Sequence, residues 1–196
     1  MDVRPIISLT SIRYQVKIYD STVSRIVFLA RRSSHCLQHL QIWTCDAGLD
    51  FMTLIRNKNM QWVNYPRLQT LKISTPKRST AALRNAVSGE RVVPFPCLRH
   101  LGIHRAYPFG DDVLFRGNAK TLESLRIEPN AQLVRILKTH SVFLEPASHP
   151  NLRCVNIAYL TSKRTSVFSH NPAAYLDFVL NIGGPSVAVR TIPGLS

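Results

Sequence analysis

The chain has 196 residues, 45% hydrophobic and 18% charged, which is ample apolar material for a packed core and excludes compositional disorder. Its 25 lysines and arginines face 11 aspartates and glutamates, a net charge of +14 that suits acidic partners (nucleic acid, anionic lipid or acidic protein) without choosing among them. No run approaches the ~18 apolar residues of a membrane span, and Met1 to Pro5 opens no basic-then-apolar secretion signal, so a cytoplasmic or nuclear protein with no membrane partner is expected.

The first element is weak. Val16 and Ile18 are two apart and would share one face of a strand, while Arg13 stands where a preceding leucine would fall in later units; residues from about 12 to 36 therefore read as a degenerate or capping unit. Asp20 or Ser21 can cap a helix in which Val23, Ile26, Val27 and Ala30 follow the i, i+3, i+4, i+7 stripe of a core-facing helix. Next comes Leu37-x-x-Leu40-x-Ile42, which returns as Leu68-x-x-Leu71-x-Ile73, Leu98-x-x-Leu101-x-Ile103, Leu122-x-x-Leu125-x-Ile127 and Leu152-x-x-Val155-x-Ile157. Helical stripes fall between these copies. Asp46 precedes one with Met52 and Ile55; a short helix is expected around 80–86, inside the proline-bounded segment from Pro76 to Pro96; Asn130 opens another with Leu133, Val134 and Leu137. The last has Asn171 as cap, Pro172 at the first helical position, Leu176, Val179 and Leu180 as stripe and Gly183-Gly184 as stop. Val187 and Val189 suit a further strand over 185–192 but do not establish one.

A short apolar motif that recurs at so brief and steady a period is the mark of a leucine-rich repeat, in which each unit supplies one strand and one covering element and cannot bury its apolar face alone. Alternating strands and helices predict parallel strands joined by right-handed crossovers. The expected fold class is α/β: a single leucine-rich-repeat domain over 1–196, a solenoid with parallel strands on the concave face and helices on the convex face. The five motifs, with Phe95-Pro96-Cys97-Leu98 and Asn151-Leu152 leading into two of them, resemble leucine-rich repeats of the ribonuclease-inhibitor-like class. Pro96 to Leu101 followed by Tyr107 to Ala119 is similar to the repeats of fungal F-box/leucine-rich-repeat proteins. That resemblance implies a substrate-docking surface on the repeats. In the family an F-box with a Leu-Pro start precedes the repeats and holds a ubiquitin-ligase adaptor, whereas here repeat-like sequence begins before Asp20, so ligase recruitment is not expected.

Four cysteines, Cys36, Cys45, Cys97 and Cys154, are too sparse for a disulfide framework, and no Asn-x-Ser/Thr acceptor occurs. Cys36-x-x-His39 and Cys97-x-x-His100, the second followed by His104, suggest zinc at first sight, but the repeat register sets His39 and His100 two strands apart, ~10 Å at the usual strand spacing, beyond one ion with ~2 Å bonds. No nucleophile elbow, phosphate loop or H-E-x-x-H helix is present, and Asp111-Asp112 suits helix capping, so neither an enzyme nor a cofactor is expected. The outward strand positions carry the functional reading. They nominate Tyr19, His39, Gln41, Trp43, Lys72, His100, His104 and Arg126 as partner-binding residues on the concave face, with Tyr19 and Trp43 as aromatic anchors, although Trp43 could equally lean into the core edge. A non-enzymatic protein-interaction module is the leading expectation. A basic solenoid that binds nucleic acid or another polyanion is the alternative; Lys17, Lys72 and Arg126, opposed by Glu128, are too few cations in the expected outward rows to favour it.

Overall fold

The computed structural model describes residues 8–16, 22–44, 51–56, 59, 61–74, 94–104, 118, 120–127, 149–159 and 187–193. Seven strands form one all-parallel sheet in chain order: β1 (Ser11–Val16), β2 (His39–Thr44), β3 (Thr70–Ser74), β4 (His100–His104), β5 (Ser124–Ile127), β6 (Cys154–Tyr159) and β7 (Ala188–Pro193). All five motif copies are strands, and β7 makes the segment after Gly184 a strand as well, paired along its whole length with β6.

From β2 to β6 similar apolar residues meet at every step. Leu40 pairs with Leu71, Leu71 with Leu101, Leu101 with Leu125 and Leu125 with Val155, and the isoleucine positions two residues on keep the same register from Ile42 through Ile73, Ile103 and Ile127 to Ile157. Leu37, Leu68, Leu98, Leu122 and Leu152, the first leucines of the motif, are buried beside them in one continuous core. Each fully buried side chain of this kind contributes roughly 1.5–3 kcal/mol, and an in-register stack gives every unit the same apolar neighbour on both sides. The backbone repeats with equal regularity. Just before each of the first five strands one carbonyl accepts two N–H groups from the next unit: Thr10 from Gln38 and His39, Gln38 from Gln69 and Thr70, Gln69 from Arg99 and His100, Arg99 from Glu123 and Ser124, and Glu123 from Arg153 and Cys154.

A turn that the motif does not reveal leads into each of β2 to β6. Leu68, Leu98 and Leu152 donate their N–H groups to the carbonyls of Tyr65, Phe95 and His149, and Leu37 and Leu122 donate to Ser33 and Asn118 one residue further back. Pro66, Pro96 and Pro150 follow the residue that opens the turn, the position where the φ fixed by the proline ring prepares a β-turn. All five opening residues are buried. Tyr65 stacks obliquely on Phe95 with ring centroids 5.4 Å apart, and its hydroxyl donates to the Leu54 carbonyl at 2.9 Å. Burial holds the Tyr65 hydroxyl well above the ordinary tyrosine range, against a smaller opposing effect of the nearby Arg31 charge.

Two helices are described, α1 (Thr22–Arg32) and α2 (Phe51–Ile55). Val27 and Ala30 of α1 are buried, Ile26 packs partly against the same core, and Arg31 and Arg32 in the last turn suit the negative end of the helix dipole. Leu54 and Ile55 of α2 are fully buried in that same core. The sequence places α1 correctly, with Ile26, Val27 and Ala30 of its stripe against the core. The segments expected to be helical around 80–86, after Asn130 and after Asn171, together with Cys45 and the Asp111-Asp112 pair, lie outside the described residues.

The first strand corrects the sequence reading. Ile12 pairs with Leu40 and Tyr14 with Ile42, so the inward pair of β1 is Ile12 and Tyr14 rather than Val16 and Ile18, and Val16 lies opposite Thr44. Leu9, packed against the core, takes the place of the missing first leucine three residues before Ile12. A slip of four residues keeps every side chain on its original face, because strand alternation has a period of two; apolar alternation alone could not separate the two registers.

Candidate functional site: the outward face of the sheet

Residues between the inward ones alternate with them along each strand, and the pairing register arranges them in three rows across the sheet. The row at the start of the strands holds Ser11, His39, Thr70, His100, Ser124, Cys154 and Ala188. The central row holds Arg13, Gln41, Lys72, Gly102, Arg126, Asn156 and Arg190. At the far end Gln15 lies opposite Trp43, Ser74 opposite His104 and Ala158 opposite Ile192.

This face is polar and covered by none of the described elements. His39 and His100 are exposed, Gln41, Lys72 and Arg126 are half-buried among their neighbours, and Arg13 and Arg190 at the two ends are exposed. A hydrogen bond of 3.1 Å joins His39 Nδ1 and Thr70 Oγ1 across β2 and β3, and the Cys154 thiol makes a long 3.8 Å contact to Asn156 Oδ1. Trp43 is half-buried on β2. Gly102 creates room: a Cβ there would stand 3.0 Å from Lys72 Cγ and 3.5 Å from Lys72 Cβ, so the lysine stem lies across β4 in space that any side chain would take. An ion pair, Arg99 Nη1 to Glu123 Oε1 at 3.5 Å, sits just before β4 and β5 with both side chains substantially exposed, where such pairs are worth ~0–1 kcal/mol.

Six of the eight nominated residues, His39, Gln41, Trp43, Lys72, His100 and Arg126, stand in these rows with their outward positions as expected, and His104 takes its strand position on β4. The histidines do not converge: His39 lies on β2 and His100 on β4, with Thr70 of β3 between them. Among the described residues no group of three or more His, Cys, Asp or Glu side chains could hold a metal ion. Cys36, Cys97 and Cys154 are free thiols, and that of Cys36 donates to the Ser33 and Leu9 carbonyls at 3.3 and 3.4 Å. The corrected register of β1 moves the first outward set. Ser11, Arg13 and Gln15 occupy the places that the sequence reading gave to Gln15, Lys17 and Tyr19; Lys17 and Tyr19, like Glu128, lie outside the described residues.

Comparison with protein-family models, with curated proteins and with solved structures finds no match. The chemistry of the face is therefore the guide to what it does.

Sequence reasoning missed two residues of the central row, Arg13 and Arg190. Both carried a usable signal. Leu9-x-x-Ile12-x-Tyr14 has the spacing of the later motifs, which makes Arg13 equivalent to Gln41, and Arg190 follows Val189 as Arg126 follows Leu125. Among the described residues no helix is long and apolar enough to cross a membrane.

Proposed function

We propose that this chain is a non-enzymatic protein-interaction module built as a leucine-rich-repeat solenoid, with the strand rows on the concave side, the helices on the convex side, and a protein partner docked on the strands. The observation that carries the reading is the contrast within each strand: alternate residues repeat nearly unchanged and are buried, while those between them differ from strand to strand and form an open polar face. A surface that only needed to be soluble has no use for rows of His, Trp, Gln and Arg held in fixed register by parallel pairing. The resemblance carried by the motifs supports the same role, that of the substrate-holding repeats of F-box/leucine-rich-repeat proteins.

The experiment is affinity capture with the intact chain, followed by a scan of the captured partner's binding. Trp43→Ala is expected to weaken binding by ~2 kcal/mol or more if the indole is an anchor, and His100→Ala by less. Arg25→Ala, an exposed change on α1 away from the strand rows, is expected to leave binding unchanged. Loss of binding from helix substitutions but not from strand-row substitutions would refute the assignment.

A further inference from the structure

The central row alternates in charge. Arg13, Lys72, Arg126 and Arg190 stand on β1, β3, β5 and β7, while Gln41, Gly102 and Asn156 stand on β2, β4 and β6 between them. Glu123, the one acidic side chain among the described residues, lies just before β5 rather than in these rows and is engaged with Arg99. We propose that this row binds an extended acidic peptide segment of the partner, one that runs across the strands with a carboxylate at about every third residue. The proposal rests on the docking reading above and names the chemistry of its ligand.

The spacing selects the ligand. Parallel strands lie about 4.8 Å apart, so cations on alternate strands repeat every ~10 Å. A polyproline II peptide rises about 3.1 Å per residue with three residues per turn, which returns every third side chain to one face after ~9.3 Å. A β-extended peptide would not match, because every third residue points to the opposite side. Four cations across seven strands span ~29 Å at the same strand spacing, the reach of about ten residues of such a peptide.

Position and neutralisation favour a peptide as well. Lys72 lies beside Gly102 near the middle of the sheet, its Cγ 3.0 Å from where a Cβ of residue 102 would stand, so the glycine leaves the lysine stem its room. Gln41 and Asn156 between the cations offer amide donors and acceptors to a peptide backbone. Platforms for single-stranded nucleic acid depend instead on aromatic side chains under successive bases, and the central row carries none, the half-buried Trp43 and the imidazoles of His39 and His100 standing in the rows beside it. Cations ~10 Å apart in water repel one another only weakly, so the row can stay charged until a ligand arrives.

Fluorescence anisotropy of labelled twelve-residue peptides on the intact chain, at ~150 mM salt where exposed charges are screened beyond ~8 Å, tests this. One probe carries repeats of Pro-Pro-Glu, a second has the same composition with its glutamates in one block, and a third is a twelve-nucleotide oligo-dT. The expected result is binding of the spaced peptide at least tenfold tighter than the block peptide or oligo-dT. Arg126→Glu should weaken it at least tenfold and the double change Lys72→Glu/Arg126→Glu should abolish it, whereas Arg25→Glu on α1 should change it less than twofold. Arg126→Gln, with an unchanged circular dichroism spectrum, separates charge from folding and should give an intermediate loss. Equal affinity for the block peptide, tighter binding of oligo-dT, no binding of any probe, or equal losses from Arg25→Glu and Arg126→Glu would each overturn the proposal. A captured partner that depends on Trp43 but not on Arg126 would overturn it too, while leaving the strand face a docking surface.

Discussion

The two faces of one sheet obey different rules. On the inner face, position after position repeats the same leucine or isoleucine, because every unit packs against a copy of itself and a change in volume is felt on both sides. On the outer face, Gln41, Lys72, Gly102 and Arg126 follow one another in the same register with no two alike. Adjacent residues of one strand thus have separate surroundings, one side packed against copies of itself and the other open, and the separation can be broken or sharpened by mutation.

The largest expected effect is on the inner face. Leu71→Ala or Leu101→Ala removes a buried side chain from the middle of the stack and is expected to destabilise the chain by ~2–5 kcal/mol in urea unfolding. Loss below ~1 kcal/mol, outside the range usual for a buried leucine, would mean that the units tolerate cavities and that the in-register stack is not what holds them. Tyr65→Phe comes next. It keeps the ring on Phe95 but leaves the buried Leu54 carbonyl without its donor, for an expected ~0.5–1.5 kcal/mol. The same residue sets an alkaline limit. With its folded pKa raised above the unfolded value of 10.0, its contribution is complete below about pH 10 and falls as pH rises further, since only the unfolded chain readily releases the proton. Wild type should therefore lose more stability than Tyr65→Phe between pH 9 and pH 11, and parallel pH profiles would contradict the buried hydroxyl. Smallest of all is the Arg99–Glu123 pair: a double-mutant cycle to alanine is expected to return a coupling below ~0.5 kcal/mol that disappears in high salt.

The same contrast explains what could be read in the sequence. The five inner motifs were legible because packing forces repetition and repetition is visible in one chain; they located β2 to β6, and their alternation placed His39, Trp43, Lys72, His100 and Arg126 on the outer face. Alternation could not fix the register of β1, where Ile12 and Tyr14 compete with Val16 and Ile18 and a slip of four leaves the pattern intact. Arg13 was misplaced for that reason. Arg190 was overlooked because β7 replaces the isoleucine position with Thr191, so its motif is incomplete. The turn residues Tyr65, Phe95 and His149 were silent for another cause: they share a place and a following proline but not a side-chain type, and their common burial is a property of the turn rather than of the residue.

Neighbours on β5 give the most direct test that one face builds the protein and the other binds. Urea unfolding of wild type, Leu125→Ala and Arg126→Glu would be followed with and without the spaced acidic peptide at about one hundred times its wild-type dissociation constant, where ligand linkage adds ~2.7 kcal/mol. Leu125→Ala is expected to start ~2–5 kcal/mol lower and to gain the same increment from the peptide. Arg126→Glu is expected to start within ~0.5 kcal/mol of wild type, as surface changes do, and to gain at most about half the increment, ~1.4 kcal/mol for a tenfold weaker site. An Arg126→Glu protein that unfolds as readily as Leu125→Ala, or that keeps the full peptide increment, would contradict the division of labour between the two faces.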